Sequence, residues 1–372
     1  MKLPFRNPLY LLVVFAFAAI IAELAHADPV VIFVLAALGL IPLAKLIGDS
    51  TEELAVYTGP RVGGLLNATL GNAAELIISI FAIRAGLLEL VRASIAGSII
   101  GNLLLVLGLA LFAGGLKNGI QRFDRRTASL SATLLILAVI ALAVPSLFDT
   151  AMAINPDKEL LFSEGVGVIL IILYGLNILY SFTSGRSADH HEVEGAGGVV
   201  SETEPVHEAK WSLRLAIVVL IAATVGTALV SEALVGAVEP VTAQIGLSEF
   251  FVGLILIPLV GNVAEHLVAV QAAIKNKMEL SMAISLGSSI QVALFVAPVL
   301  VFVSLLFGQR LLLVFNNFEL VALIGAAVIA AFIAQDGESN WLEGSMLLVV
   351  YLIIALGILL LPADAIGPAI HP

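Results

Sequence analysis

The sequence predicts an all-α polytopic membrane protein of about eleven transmembrane helices: one extra N-terminal helix, then two inverted five-helix repeats. Three observations predict it. Hydrophobic residues make up 60% and charged residues 12% of the 372, with a mean hydropathy of +1.10, whereas a soluble domain carries about 25% charge. Apolar runs of bilayer length follow one another along nearly the whole chain. The chain also resembles itself at an offset of 190 residues.

The runs are taken in order. A membrane helix needs about 20 mostly apolar residues, and such runs fall near 9–25, 29–47, 61–83, 93–114, 127–148, 160–182, 212–237, 250–273, 280–307, 317–335 and 341–361. In the first, Lys2 and Arg6 precede an apolar stretch that ends near Ala25-His26-Ala27, a signal-peptide pattern. A retained first span is favoured, because further spans follow at once. The longest connection, 184–211, carries six acidic residues and three histidines among Gly and Ser, and reads as an acidic linker. The expected divisions are thus an extra helix (1–27), a first repeat (28–183), the linker (184–211), a second repeat (212–361) and a tail (362–372).

Orientation follows from the loop lysines and arginines. With the N-terminus inside, the cytoplasmic side holds 13 of the 17 (Lys2, Arg6, Lys45, Arg61, Lys117, Arg122, Arg125, Arg126, Arg186, Lys210, Arg214, Lys275, Lys277), against Arg84, Arg92, Lys158 and Arg310 outside. Eleven crossings then put the linker in the cytoplasm and the C-terminus outside, in a prokaryotic inner membrane. The net charge of −11 argues against nucleic acid as a partner. The absence of cysteine excludes disulfides, thiolate metal sites and cysteine nucleophiles.

Without gaps, 62–106 and 252–296 share 16 identities in 45 positions. They align Gly71 with Gly261, Asn72 with Asn262, Glu75 with Glu265, Glu89 with Glu279 and Ser98 with Ser288. Each repeat holds an odd number of spans, so the second copy enters from the opposite side, as in many secondary transporters with a central substrate site.

Glu75 and Glu265 lie about halfway along their runs. A charge there costs at least ~2.5–3.5 kcal/mol, so such a residue normally faces a cavity or a partner. Two facing carboxylates repel when both are ionised and titrate as a coupled pair. The pair can hold protons or a divalent cation, and holding both is disfavoured. Gly71-Asn72 and Gly261-Asn262 are poor helix formers, and Pro258 should loosen the second copy further. Unwound carbonyls and the Asn amides would add neutral oxygens of the kind Ca2+ prefers. Ser98 and Asn102 share one helix face, as do Ser288 and Gln291. For these four, ligation competes with ordinary helix contacts. His266 either relays protons or is a satisfied structural side chain. Asp49, Glu52 and Glu53, near Arg61, read as a solvated, salt-bridged face, with a cytoplasmic funnel for cations or protons as the rival. Glu89 and Glu279 sit at span ends and read as surface.

The stretches GDSTEELA (48–55), GGLLNATLGNAAELIIS (63–79), GSIIGNLLLVLG (97–108), GNVAEH (261–266) and LGSSIQVALFVAP (286–298) resemble the cation/proton exchanger family of the calcium/cation antiporter superfamily. The resemblance runs from about residue 28 to the end. The first motif has Ala73-Ala74 where many members have Ala-Thr. The resemblance implies Ca2+ efflux or sequestration driven by a proton gradient, with Glu75 and Glu265 as shared Ca2+ and proton ligands. Transported Ca2+ (or another divalent cation) and H+ are then the partners beside the lipid bilayer, with no resident cofactor and no enzymatic activity. A Na+-driven Ca2+ exchanger and a Na+(K+)/H+ antiporter are the rival readings. A cation channel stands further off.

Overall fold

The computed structural model describes residues 8–152, 154–184 and 209–361. Lys2, Arg6, most of the acidic linker and the C-terminal tail lie outside the described residues. The helices are α1 (Pro8–Leu24, opening with a 3-10 turn), α2 (Pro29–Leu70), α3 (Ala73–Ala85), α4 (Leu88–Asn118), α5 (Arg125–Met152) and α6 (Pro156–Ser184). After the linker come α7 (Leu213–Ile245), α8 (Glu249–Gly261), α9 (Val263–Ile274), α10 (Met278–Leu306), α11 (Asn317–Ala334) and α12 (Trp341–Leu359). Two short strands, β1 (Gln121–Arg122) and β2 (Glu338–Ser339), pair antiparallel.

Among the described residues, eight helical stretches are long and apolar enough to cross a bilayer, and α8 with α9 forms a ninth span bent by 62°. The other two expected runs take different forms. α1 is a shorter apolar helix that packs along α2, where Gly39 lies against the Ala16 backbone. The run 61–83 is divided by a break at Gly71-Asn72. Its first part continues from the preceding span as one 42-residue helix, kinked at Gly59 (φ 81°, ψ 169°). That conformation is open to glycine and strained for other residues. Asp49, Glu52 and Glu53 therefore sit within a helix rather than in a connecting loop.

Helix ends follow local chemistry. Asp28 accepts the Val30 N–H ahead of Pro29, and Ser212 and Ser248 accept the N–H groups of Leu215 and Phe251. Asn316 with Glu319, and Asn340 with Glu343, form capping boxes at α11 and α12. Glu319 is buried, and this cap supplies its partner.

α4 and α10 are the most buried spans and form the centre of the molecule. Both contain a π-helical segment at equivalent places, Gly101–Val106 and Val292–Val296; a third lies in α8 at Val252–Leu256. Pro258 and Pro298 each follow a π segment by two residues. A wider turn tolerates the missing proline N–H, so the loosening expected from Pro258 takes this form. Small residues bring helices close where lipid supplies no hydrophobic drive. A Cβ on Gly97 of α4 would overlap the Leu254 backbone of α8, and one on Gly344 of α12 would lie 2.7 Å from the Gly108 carbonyl oxygen of α4.

Candidate functional site

The two breaks supply the scaffold. Asn72 (φ −97°, ψ 19°) and Asn262 (φ −108°, ψ 4°) each leave the helical region at the same point of the repeat. Glu75 and Glu265 fall in the first turns of α3 and α9 that follow. The C-terminal ends of α2 and α8 bring their negative poles to these breaks, so carbonyl and carboxylate oxygens collect there. A Cβ on Gly71 would lie 3.5 Å from Glu265 Oε1, and one on Gly261 would lie 3.3 Å from Glu75 Cγ. Each carboxylate side chain thus lies against the glycine of the other half, at ordinary contact distance for Gly71 and slightly tighter for Gly261.

Glu75 Oε1 accepts hydrogen bonds from Ser98 Oγ of α4 and from Asn262 Nδ2 across the halves, the latter at 2.5 Å. Glu265 Oε2 accepts one from Ser288 Oγ of α10 at 3.0 Å. Each Glu is therefore held by the serine 23 residues downstream, as the repeat requires. Two further bonds break the symmetry. Asn102 Nδ2 donates to Ser288 Oγ at 3.0 Å, and Asn72 Nδ2 donates to Gln291 Oε1 at 2.7 Å. Glu75 is 3% exposed and Asn72 1%, whereas Glu265 is only part-buried. Glu75 Oε2 and Asn72 Oδ1 are buried without a hydrogen-bond partner. A buried carboxylate oxygen with no partner is costly, and both atoms are of the type that ligates a hard cation.

Gly71, Asn72, Glu75, Ser98, Asn102, Gly261, Asn262, Glu265, Ser288 and Gln291 thus form one contiguous cluster. His266 is next to Glu265 in the chain and buried, but its Nε2 has no hydrogen-bond partner. The acidic group on α2 is elsewhere. Asp49 pairs with Lys45 at 2.6 Å and accepts from the Tyr10 hydroxyl. Glu53 accepts the backbone N–H groups of Lys210 and Trp211 at 2.9 and 3.1 Å, tying the start of the second half to α2. Glu52 is exposed. Asp49 thus has Lys45, one helical turn earlier, as its basic partner, and Glu53 is held by backbone. Tyr10 and the Glu53 contact with 210–211 were not foreseeable from periodicity, since both partners are distant in sequence.

Two broken helices meeting between the repeated halves of an all-α membrane fold mark the class of secondary transporters. The chain belongs to the sodium/calcium exchanger protein family, which it matches over residues 29–183 and 215–360. Among its relatives, the Ca(2+)/H(+) antiporter of Aphanothece halophytica is 42% identical over 354 residues, covering 93% of this chain and 94% of that protein. The Ca(2+)/H(+) antiporter ChaA of Bacillus subtilis is 43% identical over 344 residues, covering 92% and 96%. The solved structure of native YfkE superposes with a TM-score of 0.81 at 40% identity, covering 95% of this chain and 100% of that one. The H+/Ca2+ exchanger CAX shares the fold with a TM-score of 0.72 at 17% identity, covering 94% and 90%. The cation/proton exchanger resemblance read from the motifs is thereby established.

Proposed function

We propose that this protein is a secondary active antiporter that exports Ca2+ in exchange for H+, with Glu75 and Glu265 alternately holding the cation or protons. The observation that carries the reading is the cluster itself. Two carboxylates from opposed halves share a buried site in which Glu75 Oε2 and Asn72 Oδ1 have no other partner. The relatives above 40% identity bear the name Ca2+/H+ antiporter, which supports the same pair of ions.

The mechanism follows from charge. When open to the outside, the pair takes up protons and releases Ca2+. When open to the cytoplasm, it loses protons and binds Ca2+. Neutralising both carboxylates requires two protons for each Ca2+ displaced. The two halves, inverted relative to one another, rock about a fixed site with the N-terminus cytoplasmic.

The test is ΔpH-driven Ca2+ uptake into proteoliposomes, with Na+ and K+ supplied in turn as counter-ions. Uptake driven by ΔpH alone is the expected result, and uptake that requires a Na+ gradient overturns it. Glu75→Gln or Glu265→Gln that retains full proton-driven uptake would remove the two glutamates from the mechanism.

A further inference from the structure

Gln291 and Asn102 occupy the two places where the site departs from its own repeat. At the offset of 190, Gln291 stands opposite Gly101, and Asn102 stands opposite Val292. Each therefore adds a polar group to one half that the other half lacks, and each touches a residue that the two halves share. We infer that Gln291 and Asn102 are positioning residues that make the two carboxylates inequivalent, acting on the cation through Asn72 and Ser288 rather than binding it. This rests on the reading of the cluster as the Ca2+/H+ exchange site.

Asn262 shows what its counterpart Asn72 does without such a partner: it gives its Nδ2 to the carboxylate of the opposite half, Glu75. The equivalent act for Asn72 would be donation to Glu265. Gln291 Oε1 takes that Nδ2 instead, at 2.7 Å. An amide held by its nitrogen presents its oxygen elsewhere, and Asn72 Oδ1 is, with Glu75 Oε2, one of the two buried, unpartnered oxygens of the site. Gln291 thus converts Asn72 from a competitor for Glu265 into a neutral oxygen for the cation. Asn102 works on the other side of Glu265. Its Nδ2 fills a lone pair of Ser288 Oγ, so the single serine proton is directed to Glu265 Oε2. Glu265 Oε1, the atom nearest Gly71, is left for the ion. Glu75 holds two donors on one oxygen and Glu265 one.

The test is a double-mutant cycle on the full-length protein in proteoliposomes, reading KM and maximal rate for Ca2+ separately. Gln291→Met, similar in size but without the acceptor, is expected to raise KM for Ca2+ about tenfold with the maximal rate within about twofold, the signature of lost ion binding. Asn72→Ala is expected to raise KM by at least as much. Asn72→Ala/Gln291→Met should then be no worse than Asn72→Ala alone, because Gln291 acts only through Asn72. Additive effects would make Gln291 an independent ligand and overturn the inference, as would an unchanged KM in Gln291→Met. The same cycle applies to Asn102→Leu with Ser288→Ala. Equilibrium 45Ca2+ binding to each purified variant, with its melting temperature, separates a weakened site from a damaged fold. Wild-type protein without ΔpH-driven uptake would refute the exchange reading itself, a result distinct from additivity in a transporting protein.

Discussion

The half-helix before each break has nearly the same place in the repeat and a different fate. Glu249–Gly261 is packed tightly: Gly253 lies against Leu90 and Ala93 of α4, Gly97 receives the Leu254 backbone, and Val252, Leu254, Ile257 and Pro258 are buried. The corresponding stretch is less closely held at the residues that can be compared. Val62 and Leu65 are 49% and 46% exposed, and the atoms nearest a Cβ on Gly63, the counterpart of Gly253, belong to Ala55 of its own helix rather than to a neighbouring one. Gly287, the counterpart of Gly97, has open space where its twin has backbone. The carboxylate beside the loose half, Glu265, is part-buried, while Glu75 is sealed. One repeated sequence therefore holds two packings at once. With the orientation proposed above, the loose half lies on the cytoplasmic side. Under the proposed exchange mechanism, this asymmetry would leave the site shut from outside and approachable from within, and exchanging the two packings would reverse it.

The largest test of this comparison removes the charge from either half. Glu75→Gln and Glu265→Gln should each lower proton-driven Ca2+ uptake by about 100-fold or more, because neither half alone neutralises a divalent ion. A variant that keeps a tenth of the wild-type rate would show the halves to be unequal in function as well as in packing.

Next in size is the glycine pair. Gly287→Val enters open space here, so its melting temperature should stay within a few degrees of wild type, whereas its uptake rate should fall about tenfold. The loss would arise in the opposite state, where Gly287 must receive backbone as Gly97 does now. Gly97→Val clashes at once and should lower the melting temperature itself. Equal behaviour of the two variants would break the comparison.

The natural chain contains no cysteine, so single cysteines report access cleanly. Val62→Cys and Leu65→Cys should react with a membrane-impermeant maleimide applied from the cytoplasmic side several times faster than Leu254→Cys or Ile257→Cys from either side. Similar rates at all four positions would erase the distinction between the halves.

The smallest effect concerns the cap of the held half-helix. Ser248→Ala removes the acceptor for the Phe251 N–H, at 3.1 Å, and should cost about 1 kcal/mol. Measured as a melting-temperature shift, that is only a few degrees.

Much of this was legible before any coordinates. Glu75 and Glu265 stand out because a carboxylate is expensive in an apolar run, and their recurrence with Gly-Asn marks them as a pair. The breaks were legible because glycine and asparagine hold helices poorly. The partner of Asn72 was not. Periodicity places a residue on a face but says nothing of which way an amide turns, and Gln291 comes from a helix more than 200 residues away. The interruption at Gly59-Pro60 was legible as a breaking dipeptide, but not that 48–58 would stay helical up to it and the chain resume as helix after a single positive φ. The short fit of α1 against α2 likewise depended on Ala16 meeting Gly39.

The sequence by itself determined the membrane class, the repeat, the two breaks and the identity of the opposed carboxylates, because those follow from transfer cost and local propensity. Only the tertiary structure decided which half is held and which is loose, and which oxygens of the site remain unclaimed. Those depend on contacts between segments far apart in the chain, and two nearly equal packings of the same repeat cannot be told apart until each has chosen its neighbour.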